Sequence, residues 1–516
     1  MKVIKNRTTV MTSAATAMLG LTLISLAGCS SGDSATPAVT TGGSAALQGP
    51  LVFVNNTGDK SLSTVALRGD SGNAVVGTLP SAEFENVALG DMQFSSGEWL
   101  FMNLGAANKV ATIDPLTGAI PEHKVNLTTG TRPVHIYRDT TDGEVIWSMN
   151  DGNNETDALG NPTPYQGDDL VNCHPATPVP GQNYGSSVTI LHNSHQGPGA
   201  HPPTVEKTVC LLADGHHVTA FSSGTNIPKR AFVSSETGGE IAVINNEPGA
   251  GQWDMTHRID LCNPAKETDP LTCDLENPTG TTPFTPNNAR PHGIRWSKWT
   301  QKVYSIQEGY HEIAEIDPTT LAITNTFDLT GLLYTAFGIS PDGRFLLLRG
   351  DTTPATGTKL GVIDLDTVGT PRTDFTIAAL AGTSPGAFKF SPDGKRFYIL
   401  AGNAAASTKK DRLFVFDSST LTATPPVLTL IKDIGLDAGG DSAGFNAAHN
   451  MDVLAQGTPG AGEAKYIVVS NRSGNTVSII NATDNLIKQT VPVGLTPGAV
   501  MIYYPGAAAA SNQASS

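Results

Sequence analysis

Charge is scarce in this chain. Asp, Glu, Lys and Arg together supply 15% of its 516 residues, and aromatic residues supply 6%. With 54 Gly and 34 Pro, no stretch beyond the N-terminus keeps a helical period. That excludes a helical bundle and suits many short strands joined by tight turns. Basic residues are scarcer than acidic ones, and the net charge is −15. Such a surface lacks the Lys/Arg contacts to phosphate that nucleic acid demands, so no nucleic-acid partner is expected. Solubility or cation binding remains as the role of the acidic surface. No long apolar run follows residue 27, so no later segment reads as a membrane span. There is no GxxxxGK[ST] string and no GxGxxG behind a strand, hence no phosphate cradle. None of the five cysteines has CxxC spacing, which argues against a Cys-based zinc site and a covalent c-type haem.

What the N-terminus does contain is an address. Lys2, Lys5 and Arg7 precede an apolar run that is densest from Ala14 to Ala27, the form of a secretory signal over residues 1–28. Leu26-Ala27-Gly28-Cys29 resembles the bacterial lipoprotein box. The resemblance implies that Cys29 is lipidated and that the membrane is a partner through this anchor. Ser30 behind it implies the outer membrane of a bacterial cell envelope, facing the periplasm or the exterior. Residues 29–48 are small and polar and read as a flexible tether, and residues 506–516 as a disordered tail. Cys173, Cys210, Cys262 and Cys273 remain, and an oxidising compartment permits disulfides among them. Three pairings exist. Cys262 with Cys273 across a short local loop, and Cys173 with Cys210 across two insertions, is the favoured one.

Internal similarity decides the fold. Residues 384–420, 334–367 and 465–485 share one plan: an inner strand ending in Ser-Pro-Asp-Gly or a similar turn, a β-branched and aromatic strand, a polar loop, and a third strand closing at Asp or Asn. The period is roughly forty residues, one four-stranded blade. Tyr466-Ile-Val-Val-Ser-Asn471, Asn475-Thr-Val-Ser-Ile-Ile480, Ser340-Pro-Asp-Gly343 and Ser391-Pro-Asp-Gly394 resemble the YVTN-type β-propeller repeat. The expectation is an all-β chain forming a single β-propeller over residues 49–505. Inner strands begin near Asp91, His135, His217, Gly293, Phe337, Ala387, Asn450 and Ala499. They count eight blades, with seven as the alternative. The last inner strand has no partners after it, so Pro50–Asn55 and Ser63–Leu67 from the chain start are expected to complete its blade. We call this shared blade 1, so that Asp91 opens blade 2.

Three segments interrupt the plan: about 151–186, 192–215 and 247–290. They are expected as insertions on one face, called the top, forming a lid over blades 3 to 5 that also holds His174, His192, His195, His201 and His257. The register position just before each inner strand holds Gly90, Val134, His217 (or His216), His292, Thr335, Gly386, His449 and Gly498 in ring order. Imidazole is the usual nitrogen ligand of Zn, Cu and Fe. His135, His217, His292 and His311 are therefore the candidate metal ligands, with a transition metal or a non-covalent tetrapyrrole as the cofactor expected. His449, on blade 8, lies across the ring from blade 4. Arg132-Pro133 and Arg290-Pro291 flank two of these histidines and suit a carboxylate clamp. Arg290, His292 and Tyr310 would alternatively do acid/base work of the kind propeller lyases perform beside a uronate. The two GxSxG strings, 382–386 and 440–444, lack the strand-to-helix context of a nucleophile elbow. Asn150–Glu155 is dense in oxygen donors without the closing spacing of a Ca²⁺ loop.

Two functional readings follow. One is a lipid-anchored propeller that binds a protein, polysaccharide or small molecule over the top of blades 3 to 5. The other is a metal- or tetrapyrrole-dependent redox enzyme, or a lyase, at a His-lined channel mouth. Replacing Cys29 with Ser is expected to shift the protein from the membrane fraction to the soluble envelope fraction and to abolish incorporation of labelled palmitate. Undiminished labelling would exclude Cys29 as the anchor.

Overall fold

The structure is a computed structural model. It describes residues 49–504 except 97–98, 116–120, 153–172, 174–185, 193–201, 212–215, 237, 268–272, 274–286, 332–333, 351–357, 368–371, 404–410, 437–447 and 457–461. The signal, the tether with Cys29, the tail, His174, His195, His201 and the 440–444 string lie outside the described residues.

Eight four-stranded antiparallel sheets form the blades of an eight-blade β-propeller. Within each blade the first three strands are pressed between neighbouring blades. They read as near-continuous apolar runs, such as Leu51–Asn56 and Val145–Asn150, both buried along their whole length. The fourth strand of each blade is the exposed edge. Ile323–Asp328 is almost wholly exposed, and Thr204–Cys210 and Met255–Asp260 are partly so. The Ser-Pro-Asp-Gly strings close the hairpins between first and second strands. Ser340 N donates to the Phe345 carbonyl at 2.9 Å and Phe345 N donates to Ser340 Oγ at 2.9 Å, while Gly343 takes the positive φ of 86° that only glycine adopts freely.

Ring closure pairs the chain ends. Pro497–Tyr503 forms the innermost strand of blade 1, and Leu51–Asn56, Ser61–Ala66 and Ala74–Leu79 lie outside it. The pairing leaves no open sheet edge at the junction. Phe53 packs edge-on against Phe94 of blade 2 at 5.5 Å and against Tyr503 at 6.4 Å, so one ring joins three chain segments.

Two of the expected insertions contain more than loop. Residues 192–215 include the fourth strand of blade 3, Thr204–Cys210, and residues 247–290 include the fourth strand of blade 4, Met255–Asp260. An edge strand that faces water keeps little apolar alternation, so its sequence reads as loop. The consequence is topological. A connection between third and fourth strands lies on the face opposite the top, so His192, at the end of the third strand Ser187–His192, belongs to that other face. His257 sits exposed on the blade-4 edge strand. Asp151–Ser186 does lie between a second strand, Val145–Asn150, and a third, Ser187–His192.

Phe53→Ala is expected to lower the unfolding free energy by about 3 to 5 kcal/mol, the usual cost of emptying a buried phenylalanine site. Urea denaturation of the purified protein measures it. A loss below about 1 kcal/mol would show that the junction is not held by this ring.

Candidate functional site

The site begins as a rung of the β-ladder. In blades 3, 4 and 5 the first strand enters opposite the last residue of the second. Pro133 faces Asn150, His217 faces Ser235, and Pro291 faces Gln307. One residue earlier stand Arg132, His216 and Arg290. Their carbonyls accept the backbone N–H of Asp151 at 3.1 Å, Glu236 at 3.2 Å and Glu308 at 3.1 Å. Three successive blades therefore set an acidic residue against the entry of the innermost strand.

Beyond this rung, blades 3 and 5 skip a residue, at Val134 and His292. Blade 6 does so at Thr335, and blades 7, 8 and 1 show a wider irregularity over 386–387, 449–450 and 498–499. Such bulges turn a strand and re-aim its side chains. Blade 4 has none, and His217 pairs with Ser235 without a shift. His217 therefore does not occupy the place His292 occupies in blade 5. Its ring is fully buried, with Nδ1 donating to the Ser234 carbonyl at 3.0 Å. The neighbour that meets the other imidazoles is His216.

The resulting cluster runs across four blades. Asp91, at the mouth of blade 2, accepts a 2.6 Å hydrogen bond from His135 Nδ1. His135 Nε2 faces His216 Nε2 at 2.9 Å, with the two rings nearly perpendicular at 86°. His216 stacks on His292 with centroids 4.9 Å apart. His292 Nδ1 is held between the Thr335 carbonyl at 2.9 Å and Glu308 Oε1 at 3.0 Å. Any ligand of His292 is therefore met by Nε2. Arg290 Nη2 binds Glu236 at 2.6 Å and lies 3.9 Å from Glu308.

Proton affinities diverge within this short chain of contacts. Burial lowers that of His135, but the Asp91 carboxylate more than offsets it, and the net direction is up. His216 is pulled down to about 3 by burial, then by the charges of His135, His292, His217 and Arg132. Burial also takes His217 down to about 4. The Glu308 hydrogen bond raises His292. Only one hydrogen fits between the two facing Nε2 atoms, so His135 and His216 titrate as a pair. Asp151 is buried and pushed up to about 6 by that burial, opposed by His135, Arg132 and the His217 backbone N–H. Its Oδ1 and the His217 Nε2 are both buried atoms without a hydrogen-bond partner.

The remaining candidate residues are placed elsewhere. Tyr310 is buried under the segment that follows Cys262. Its hydroxyl donates to Glu267 and accepts from the Asn263 N–H at 3.2 Å, and burial holds it well above the usual phenol range. His311 has a left-handed backbone (φ 52°), and its carbonyl accepts from Leu329 N at 2.8 Å, on the side of the outermost strand. Arg290 is at the mouth and half-exposed. Both disulfides form, Cys173–Cys210 and Cys262–Cys273. Among the described residues, no three His, Cys, Asp or Glu side chains are already gathered around one metal position. The sequence marks Asp151 only as part of the oxygen-rich Asn150–Glu155 stretch and gives Asp91 and Glu236 no site role. The legible signal was an acid directly after the second strand in three consecutive blades.

No family model matches the chain, and no curated protein matches it. Solved structures do. Apo AztD from Citrobacter koseri is 12% identical with a TM-score of 0.51, over 88% of this chain and 98% of that one. The dihydro-heme d1 dehydrogenase NirN in complex with DHE is 11% identical with a TM-score of 0.52, over 90% and 77%. At these identities the likeness concerns the fold alone.

Asp151 gives a pH-dependent expectation. Unfolded, it ionises near the ordinary 3.8; folded, near 6. Between those values the unfolded chain gives up the proton first, so stability falls as pH rises through this window and stays lower above it. The ionised form costs on the order of 3 kcal/mol. Asp151→Asn is expected to be more stable than the wild type at pH 7.5 by up to about that amount, and to lose the decline between pH 4 and 6. Urea unfolding at several pH values reads both. Equal decline in the two proteins would contradict it.

Proposed function

We propose that this chain is a cell-envelope propeller, tethered through a lipidated Cys29, that binds a transition-metal ion at the top-face histidine cluster over blades 3 to 5. The observation that carries the reading is the facing pair of Nε2 atoms on His135 and His216, 2.9 Å apart. Metal-ligating histidines commonly donate the other ring N–H to a carboxylate or carbonyl, which fixes the tautomer. His135 does this to Asp91, and His292 does it to Thr335 and Glu308. His135 and His216 would supply the first two ligands, and His292, stacked on His216 with its Nδ1 already engaged, has Nε2 left to serve as the third. The imidazole set suits zinc, copper or iron in preference to calcium or magnesium. The net charge of −15 favours cations over anions as partners of the chain as a whole.

A second reading has one observation in its favour. His135 is driven toward its charged form and the adjoining His216 is held neutral, which sets an acid beside a base. Under that reading the cluster transfers protons to and from a bound substrate without a metal.

Zinc titration of the purified soluble form, in competition with a chromophoric chelator, separates the two. One ion per chain is expected at pH 7.5, with affinity falling toward pH 6 as protons compete for the His135–His216 pair. His216→Ala is expected to weaken binding by at least tenfold. His123→Ala is expected to leave binding unchanged, because His123 lies on the outermost strand of blade 2, beside Glu83. Absence of stoichiometric zinc, copper and iron in the wild type would overturn the metal reading.

A further inference from the structure

His292 and Glu308 reach the cluster from separate stretches, the entry to the innermost strand of blade 5 and the turn after its second strand. The ladder alone does not hold them. The rung at Pro291–Gln307 is the last before the skipped residue, and the flanking Arg290 and His311 both have left-handed backbones, with φ of 48° and 52°. Left-handed conformations in residues other than glycine persist where the surroundings over-determine them.

We propose that the segment Cys262–Glu267 is a clamp that positions the blade-5 half of the histidine cluster, with Glu267 as its positioning residue; this rests on the reading of the cluster as the ligand site. One carboxylate grips both stretches. Glu267 Oε1 accepts the Asn288 N–H at 2.7 Å, Oε2 accepts Asn288 Nδ2 at 2.7 Å, and the Tyr310 hydroxyl donates to Oε1. Asn288 lies two residues before Arg290, and Tyr310 two residues after Glu308.

The stretches are stitched together between these grips. Glu308 N donates to the Arg290 carbonyl and Gly309 N to the Ala289 carbonyl, each at 3.1 Å. A side chain at Gly309 would put Cβ 1.7 Å from the Asn288 oxygen, so glycine is required for the approach. Lys266, next to the carboxylate, donates to the Tyr310 carbonyl at 2.9 Å and to Glu312 at 2.6 Å. The segment is itself anchored. Cys262 N donates to Asp260 Oδ1 at 2.8 Å, Asn287 Nδ2 donates to the same oxygen at 3.1 Å, and Cys262 is bonded to Cys273. At the inner end of the stitched pair, Glu308 orients His292. The clamp thus acts on the imidazole through Glu308 and does not touch the ligand. The buried Tyr310 belongs to the clamp, where its hydroxyl is already engaged by Glu267 and Asn263.

The test uses the full soluble chain with ¹⁵N-histidine labelling. In the wild type, the His292 Nδ1–H, bridged between Thr335 and Glu308, is expected to give a protected resonance, assigned by its absence in His292→Ala. In Glu267→Gln that resonance is expected to be lost to exchange, whereas the His135 Nδ1–H held by Asp91 persists. Zinc affinity is expected to fall about tenfold, in the range seen when outer partners of a ligand are removed. A folded Glu267→Gln protein that keeps the His292 resonance overturns the proposal, as does joint loss of both resonances, which would mark a general loosening. If that variant does not fold, Tyr310→Phe removes one of the three grips, and an unchanged His292 resonance in it overturns the proposal equally. Failure of the wild type to bind zinc counts against the metal reading alone, since the resonance is read without zinc.

Discussion

The site depends on one rung of hydrogen bonds. In blades 3, 4 and 5 the residue after the second strand donates its N–H to the residue that enters the first. This contact is backbone to backbone, so it is available to any sequence. The chain spends it by putting acids on one side, Asp151, Glu236 and Glu308, and Arg132, His216 and Arg290 on the other. The bulge that follows in blades 3 and 5, and its absence in blade 4, brings imidazoles from three offset positions into one group. Side-chain identity and backbone irregularity thus act together, and neither alone gathers the cluster.

Much of the architecture was legible because each blade repeats the same constraints. Inner strands are buried on both faces, so Val145–Asn150 or Ile313–Ile316 stand out as apolar runs, and Ser-Pro-Asp-Gly marks the hairpins. The outermost strands were illegible for the converse reason. Thr204–Cys210 and Met255–Asp260 face water, carry Glu, Lys, His and Arg, and so resemble the loops beside them. The count of eight and the closure by the two chain ends survive this, because both rest on innermost strands.

The candidate site was legible at the level of blades and not of atoms. The histidines of blades 4 and 5 are visible as departures from glycine or small residues at the register position, and His135 stands one residue past it in blade 3. Which histidine of the 216–217 pair joins His135 could not be read, because it turns on a bulge that leaves no mark in the residue string. Tyr310 stands out in the sequence for its phenol, yet the fold engages its hydroxyl with Glu267 and Asn263. Its company is set by a segment more than forty residues earlier, which spacing within the blade does not reveal. Taken singly, Asp151 and Glu236 do not stand out, because a lone acid after a strand is ordinary; the triple recurrence with Glu308 is not.

Closure by the first and last strands has a consequence for the order of events during synthesis. Blade 1 gets its outer three strands from residues 51–79 and its innermost strand from Pro497–Tyr503. A growing chain therefore exposes the inner edge of Leu51–Asn56 until Pro497–Tyr503 has emerged, while blades 3 to 5 are already complete in sequence. The half-made propeller is an open arc with an unpaired strand edge, which another unpaired edge can meet before closure. The final seven-residue strand acts as the latch of the whole ring, and whatever escorts the nascent chain has that one edge to shield.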